Sequence, residues 1–202
     1  MKIVETRILI SKGQFSKSKK LKEIHAQIEE AILEVHWPPN TGAFILHDQP
    51  GKARNAGSGV TPIKNACMKF LKSKGWSLEK PLEITSSTKP GPMDAVYPIT
   101  KKSFCLEWET GNISSTHRAL NKMAIGLLKN VLVGGVLVLP TKKMSRYLTD
   151  RVGNFEEIEP YFHLWESLVV EEGYLAVIAV EHDGVSKDVP RIPKGTDGRA
   201  LL

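Results

Sequence analysis

Residues 133–139 read Val-Gly-Gly-Val-Leu-Val-Leu, with no polar side chain at any position. A strand with one face in water carries a polar residue at every second position; a strand without them suits burial on both faces. Its sheet then needs a covering layer on each side, which helices can supply. Residues 174–180, Tyr-Leu-Ala-Val-Ile-Ala-Val, predict a second buried strand.

Helical patterns surround these runs. Leu21, Ile24, Ile28, Ile32 and Val35 recur at the spacing of one helical face and predict a helix over 17–35, stopped by Trp37-Pro38-Pro39. Thr61-Pro62 opens a second helix that ends near Gly75. A third starts around Ser114 and carries Leu120, Met123, Leu127 and Val131 on one side. Shorter helices are expected over 142–148 and 157–168, and short strands over 44–47, 94–99 and 104–109. The loop 49–59 and the tail from about 187 look irregular. The expected architecture is one α/β domain over 1–202, a mixed central β-sheet flanked by helices.

Composition narrows the function classes. The chain has 202 residues, 41% of them hydrophobic, enough for one core. Its formal charge of +6 and pI near 9.2 permit a polyanionic partner, but ordinary solvated lysines give the same figure. With no long apolar segment and no signal-peptide core at Met1–Arg7, no membrane association is expected and the protein reads as cytoplasmic. Cys67 and Cys105 sit among apolar neighbours and read as buried thiols, too few for a disulfide framework or a Cys-rich zinc site. The six histidines are scattered without a His-x-x-x-His pair, which disfavours zinc hydrolysis. The Gly51 to Gly59 loop lacks the Gly-Lys-Ser/Thr ending of a phosphate loop, and no Gly-x-Ser-x-Gly turn marks a serine nucleophile.

The acids around the two short strands are the chemical signal. Glu107 and Glu109 lie two apart, hence on one face of a strand. A hairpin back to the run that starts at Asp94 would gather all three carboxylates. Such a cluster repels itself unless a cation or a shared proton relieves it. Oxygen-only ligands select a hard ion such as Mg²⁺ or Mn²⁺, which suits phosphodiester hydrolysis. Surface acids on an edge strand are the competing reading. The following segment, Asn112 to Arg118, allows two readings as well. Asn112 or Ser114 caps a helix, or Asn and Arg bond base edges in a major groove. Asp150-Arg151 is either a surface ion pair or a further base reader.

Residues 107–118, Glu-Trp-Glu-Thr-Gly-Asn-Ile-Ser-Ser-Thr-His-Arg, resemble the catalytic and recognition segment of BamHI-type restriction endonucleases. So do Val60-Thr61-Pro62-Ile63-Lys64, Glu79-Lys80-Pro81-Leu82, Gly91-Pro92-Met93-Asp94, Tyr147-Leu148-Thr149-Asp150-Arg151-Val152 and the segments at 154–162 and 192–198. The matches are ordered and cover most of the chain after residue 60, with Met93 and Ala95 departing from the pattern beside Asp94.

The resemblance implies a restriction-endonuclease-like core of the PD-(D/E)xK superfamily and double-strand cleavage of DNA at the palindrome GGATCC. It implies Mg²⁺, replaceable by Mn²⁺, gathered by Glu79, Asp94 and Glu107. Glu109, where the wider superfamily carries lysine, becomes a candidate general base. Asn112, Ser114, Arg118, Asp150 and Arg151 match base readers, and Lys64 a lysine near DNA. A homodimer through the helices around 114–130 and 157–168 is also implied. A catalytically silent DNA-binding protein of the same fold and a structure-selective repair nuclease are the alternatives.

Overall fold

The computed structural model describes residues 1–51, 56–82, 91–149 and 151–194. Strands β1 (Lys2–Lys12), β3 (Ser77–Lys80), β4 (Met93–Ile99), β5 (Lys102–Trp108), β6 (Leu132–Pro140) and β7 (Gly173–Glu181) form one mixed sheet in the order β1-β7-β6-β5-β4-β3. The centre, β5-β6-β7, is parallel; β1 at one edge and β4-β3 at the other are antiparallel. Strands β2 (Ile45–His47) and β8 (Gly184–Ser186) pair separately and in parallel.

All nine residues of β6 and all nine of β7 are buried, as their uninterrupted apolar sequences predict. One face of the sheet is covered by α1 (Lys19–Leu33) and α2 (Thr61–Ser73), whose Ile24, Ile28, Met68 and Leu71 meet Leu106, Val136 and Ile178. The opposite face takes α3 (Ile113–Leu128), α5 (Phe155–Ile158) and α6 (Phe162–Glu166), where Leu120, Met123 and Phe162 meet Cys105, Leu137 and Val177. Both cysteines are buried and free. No helix among the described residues is long and apolar enough to cross a membrane.

Several boundaries differ from expectation. Helix α1 starts at Lys19 because Ser18 Oγ accepts the Leu21 amide at 3.1 Å. The helix expected over 142–148 is the single turn α4 (Lys142–Ser145), capped by Thr141. The one expected over 157–168 starts earlier, under an Asn154 cap, and is interrupted by a tighter 3₁₀ turn at Glu159–Tyr161, where Pro160 removes a donor. Val131 falls beyond α3, in the turn before β6. Strands β1, β3 and β8 answer no pattern read from the sequence. The loop residues 52–55 and the tail residues 195–202 lie outside the described residues.

Candidate active site and nucleic-acid interface

Strands β4 and β5 form the expected antiparallel hairpin, pairing Ile99 with Lys102 through Ala95 with Leu106. The paired positions end at Ala95 and Leu106. Beyond it the Asp94 carboxylate takes over, its Oδ2 accepting the Trp108 amide at 2.8 Å. A side-chain oxygen thus satisfies a strand N–H, and the acid is held at the mouth of the hairpin. Glu107 lies on the neighbouring strand, 6% exposed, and Asp94 is 8% exposed. Strand β5 runs between β6 and β4. Buried acids on an interior strand are not surface acids on an edge, so that competing reading does not apply to Glu107.

Two lysines balance these charges. Lys64, on α2, places Nζ 2.5 Å from Asp94 Oδ1 and 3.7 Å from Glu79 Oε1. Lys122, on α3, pairs with Glu107 Oε1 and donates to the Pro92 carbonyl at 3.1 Å. Burial pushes the Glu107 carboxyl up to about 7, the Asp94 charge adds to the rise, and Lys122 opposes it. Burial alone would lower the Lys64 ammonium, but Asp94, with help from Glu79 and Glu107, raises it.

Glu109 follows the end of β5. Its Oε1 accepts the Gly111 amide at 2.8 Å and the Thr110 amide at 3.1 Å. Burial raises its pKa, Asp94 adds to the rise, and the two amides and Arg118 oppose it. Gly111 leaves room for this contact, since a Cβ there would lie 2.9 Å from Ser115 Oγ and 3.0 Å from Glu109 Oε1 and would push those side chains aside.

Asn112 caps α3, its Oδ1 accepting the Ser115 amide at 3.2 Å. The capping role weighed in the sequence is therefore present, and the side chain remains exposed. The segment after α4 is strapped to this turn by the Gly153 amide, which donates to the Gly111 carbonyl at 2.9 Å. Gly153 permits the approach, because a Cβ would lie 2.8 Å from Thr116 Oγ1. The strap brings Arg151 beside the start of α3, with φ of 68°. Glu79 also has positive φ, 48°. For a non-glycine residue such backbone costs roughly 1–3 kcal/mol, and it recurs at functional sites.

A single cleft of about 1000 Å³ is lined by Lys64, Glu79, Asp94, Glu107, Glu109, Asn112, Arg118 and Arg151. Eight of the residues singled out in the sequence therefore share one concavity, although they come from five separate segments. Ser114 is exposed on the first turn of α3 but does not line the cleft, whereas Ser115 does. Asp150 lies outside the described residues. Lys122, which the sequence reading passed over, lines the cleft as well. Its signal was a lysine set among the apolar residues of α3, one turn after Arg118.

Among the described residues no three His, Cys, Asp or Glu side chains form a preassembled metal cage. Glu79 is exposed and approached by Lys64, leaving Asp94 and Glu107 as the close acidic pair. Glu107 Oε1 is enclosed and in contact with the Lys122 ammonium. Carboxylate oxygens fit a hard divalent cation better than a soft one.

The chain is 49% identical over 201 residues to the type II restriction enzyme OkrAI of Oceanobacter kriegii, covering 100% of both chains. It is 34% identical over 195 residues to the type II restriction enzyme BamHI of Bacillus amyloliquefaciens, covering 93% of this chain and 87% of BamHI. The fold is similar to that of BglII complexed with a DNA 16-mer, with TM-score 0.64, 13% identity, and coverage of 95% and 88%. Free BglII matches with TM-score 0.54, 14% identity, and coverage of 91% and 81%. The mixed sheet and its flanking helices are thus the restriction-endonuclease-like fold expected from the sequence. The family model described as restriction endonuclease BamHI matches residues 1–199, including the first 60 residues that the quoted segments barely reached. The chain belongs to the BamHI family of type II restriction endonucleases.

Proposed function

We propose that this chain is a Mg²⁺-dependent type II restriction endonuclease that cuts both strands of DNA at GGATCC as a homodimer. The observation that carries the reading is the one cleft in which Glu79, Asp94, Glu107 and Glu109 share a wall with Asn112, Arg118 and Arg151. Acids for phosphodiester chemistry and donors suited to base edges lie within one concavity.

Asp94 and Glu107, with Glu79 at the rim, are the proposed metal ligands. A bound Mg²⁺ or Mn²⁺ would supply charge stabilisation at a phosphate and a lowered pKa for a water. Glu109 is the proposed base; its amide contacts orient it, and its raised pKa moves it toward the range useful for accepting a proton. Lys64 supplies positive charge beside the acids and is a proposed phosphate contact. Arg118 and Arg151 suit guanine O6 and N7, and Asn112 suits a base with paired donor and acceptor. Ser114 and Asp150 remain proposed readers by resemblance.

A palindrome is read most simply by two copies related by a two-fold axis. Helix α3 leaves Ile125 and Leu128 exposed, and the segment packed beside it leaves Tyr161 and Leu164 exposed. Tyr161 meets His117 of α3 edge-on at 4.8 Å, and Trp165 Nε1 donates to Asn121 Oδ1 at 3.1 Å, so the two segments form one surface. This apolar surface is the proposed dimer interface.

The test is a digest of a plasmid of known sequence with Mg²⁺ and with EDTA. Expected are fragments ending at GGATCC on both strands, with Mg²⁺ only. Equal cutting of unrelated duplexes favours a structure-selective nuclease, and binding without cutting favours a silent binder.

A further inference from the structure

Lys122 has no part in the roles assigned above, yet its setting is specific. It lies on the buried face of α3, 8% exposed, between Leu120 and Met123. An enclosed ammonium is costly unless paired, and a core that only needed filling would be better served by methionine or leucine. Its Nζ pairs with Glu107 on β5 and donates to the carbonyl of Pro92, two residues ahead of Asp94. One ammonium therefore joins α3, β5 and the approach to β4. Asp94 is tied to β5 independently, through the Trp108 amide. Arg118 stands four residues before Lys122, on the same side of α3, and both line the cleft.

We propose that Lys122 is a positioning residue that holds the Glu107 carboxylate in register with Asp94, through the same helix that carries Arg118. The inference rests on the reading of Glu107 as one of the reacting carboxylates. Lys122 itself touches no substrate atom in this account; it acts through Glu107 and the Pro92 carbonyl.

The experiment compares Lys122→Met, Lys122→Arg and Glu107→Gln in the full chain. Three quantities are read: single-turnover cleavage of a GGATCC duplex at saturating Mg²⁺, affinity for that duplex in EDTA by fluorescence anisotropy, and Mn²⁺ binding to the DNA complex by electron paramagnetic resonance. In Lys122→Met the cleavage rate is expected to fall on the order of 100-fold, the effect of a small misplacement of a reacting group. Affinity in EDTA stays at the wild-type level, while Mn²⁺ binding weakens, because one of its proposed ligands is no longer held in register with Asp94. Lys122→Arg restores most of the rate.

A purely structural lysine would lower rate, affinity and Mn²⁺ binding together. That pattern in both Lys122→Met and Lys122→Arg overturns the proposal, as does wild-type cleavage by Lys122→Met. Glu107→Gln separates the two layers. If it cleaves normally, the reading of Glu107 fails; if it is inactive while Lys122→Met is fully active, only the positioning role fails.

Discussion

Replacing Asp94 in two ways separates its chemical part from its structural one. Oδ2 accepts the buried Trp108 amide beyond the last paired position of the β4–β5 ladder, and Oδ1 pairs with Lys64. Asp94→Asn removes the charge but keeps an oxygen for the amide; Asp94→Ala leaves the amide without that acceptor. An unsatisfied buried donor costs about 1–3 kcal/mol. Loss of the Lys64 pair is common to both variants, Glu79 remains 3.7 Å from that ammonium, and repulsion with Glu107 is relieved. The alanine variant should therefore unfold below the asparagine variant by the amide cost alone. For a chain of this length each kcal/mol corresponds to roughly 2–4 °C in Tm. Scanning calorimetry in EDTA reads that gap. Cleavage and gel-shift assays on the same preparations should show both variants inactive and still bound to GGATCC. Affinity holds or rises, because a negative charge has left the cleft. Equal Tm for the two variants refutes the assigned Trp108 bond. Full cleavage by either removes Asp94 from the mechanism.

Glu107 gives a pH signature. Burial pushes its pKa up to about 7, above the ordinary carboxylate value of 4.5, so the metal-free protein holds this stability contribution below about pH 4.5 and loses it as pH rises through about 7. Glu107→Gln escapes the loss, so its Tm relative to wild type should rise between pH 4.5 and 7 and level off above; a flat difference contradicts the assigned burial cost. Arg151→Ala should lose about 1–3 kcal/mol of discrimination at one base pair. Affinities for GGATCC and single-base variants at one salt concentration measure it, and an unchanged ranking with uniformly weaker binding would make Arg151 a phosphate anchor. Leu128→Glu places a charge on the exposed apolar surface of α3, whereas neighbouring Leu127 is buried in the core. Sedimentation should show a weakened dimer and the digest a loss of double-strand cleavage, with an unchanged dimer counting against this interface.

Much of the layer structure was legible in the chain, because its signals are periodic and local. The uninterrupted apolar runs of β6 and β7 declare burial on both faces, and they lie at the sheet centre. The third helix starts where Asn112 offers a cap. The β4–β5 hairpin follows from two adjacent apolar runs with a basic turn, and it carries Asp94 to Glu107 as expected. Polar residues matched in order across the chain identified the family, since their combination is not demanded by burial.

Other features were decided only by tertiary structure. Strand β1 pairs with β7 across most of the chain, joined by backbone hydrogen bonds and largely exposed in its own side chains, so no alternating pattern announced it. The helix expected over 157–168 is broken at Pro160, whose missing backbone donor favours the tighter turn. The placement of Arg151 depends on a backbone bond from Gly153 to Gly111, which involves no side chain and so leaves no mark in residue type beyond two glycines. Lys64 and Lys122 reach the acids from helices on opposite faces of the sheet. Charge balance between residues so far apart in sequence exists only after the layers close. The chain by itself determined which strands are central, where the acids and candidate readers lie along it, and its family. Packing alone decided which lysines answer those acids and how the candidate reading segments converge on one cleft, because both depend on distances between elements rather than on order within them.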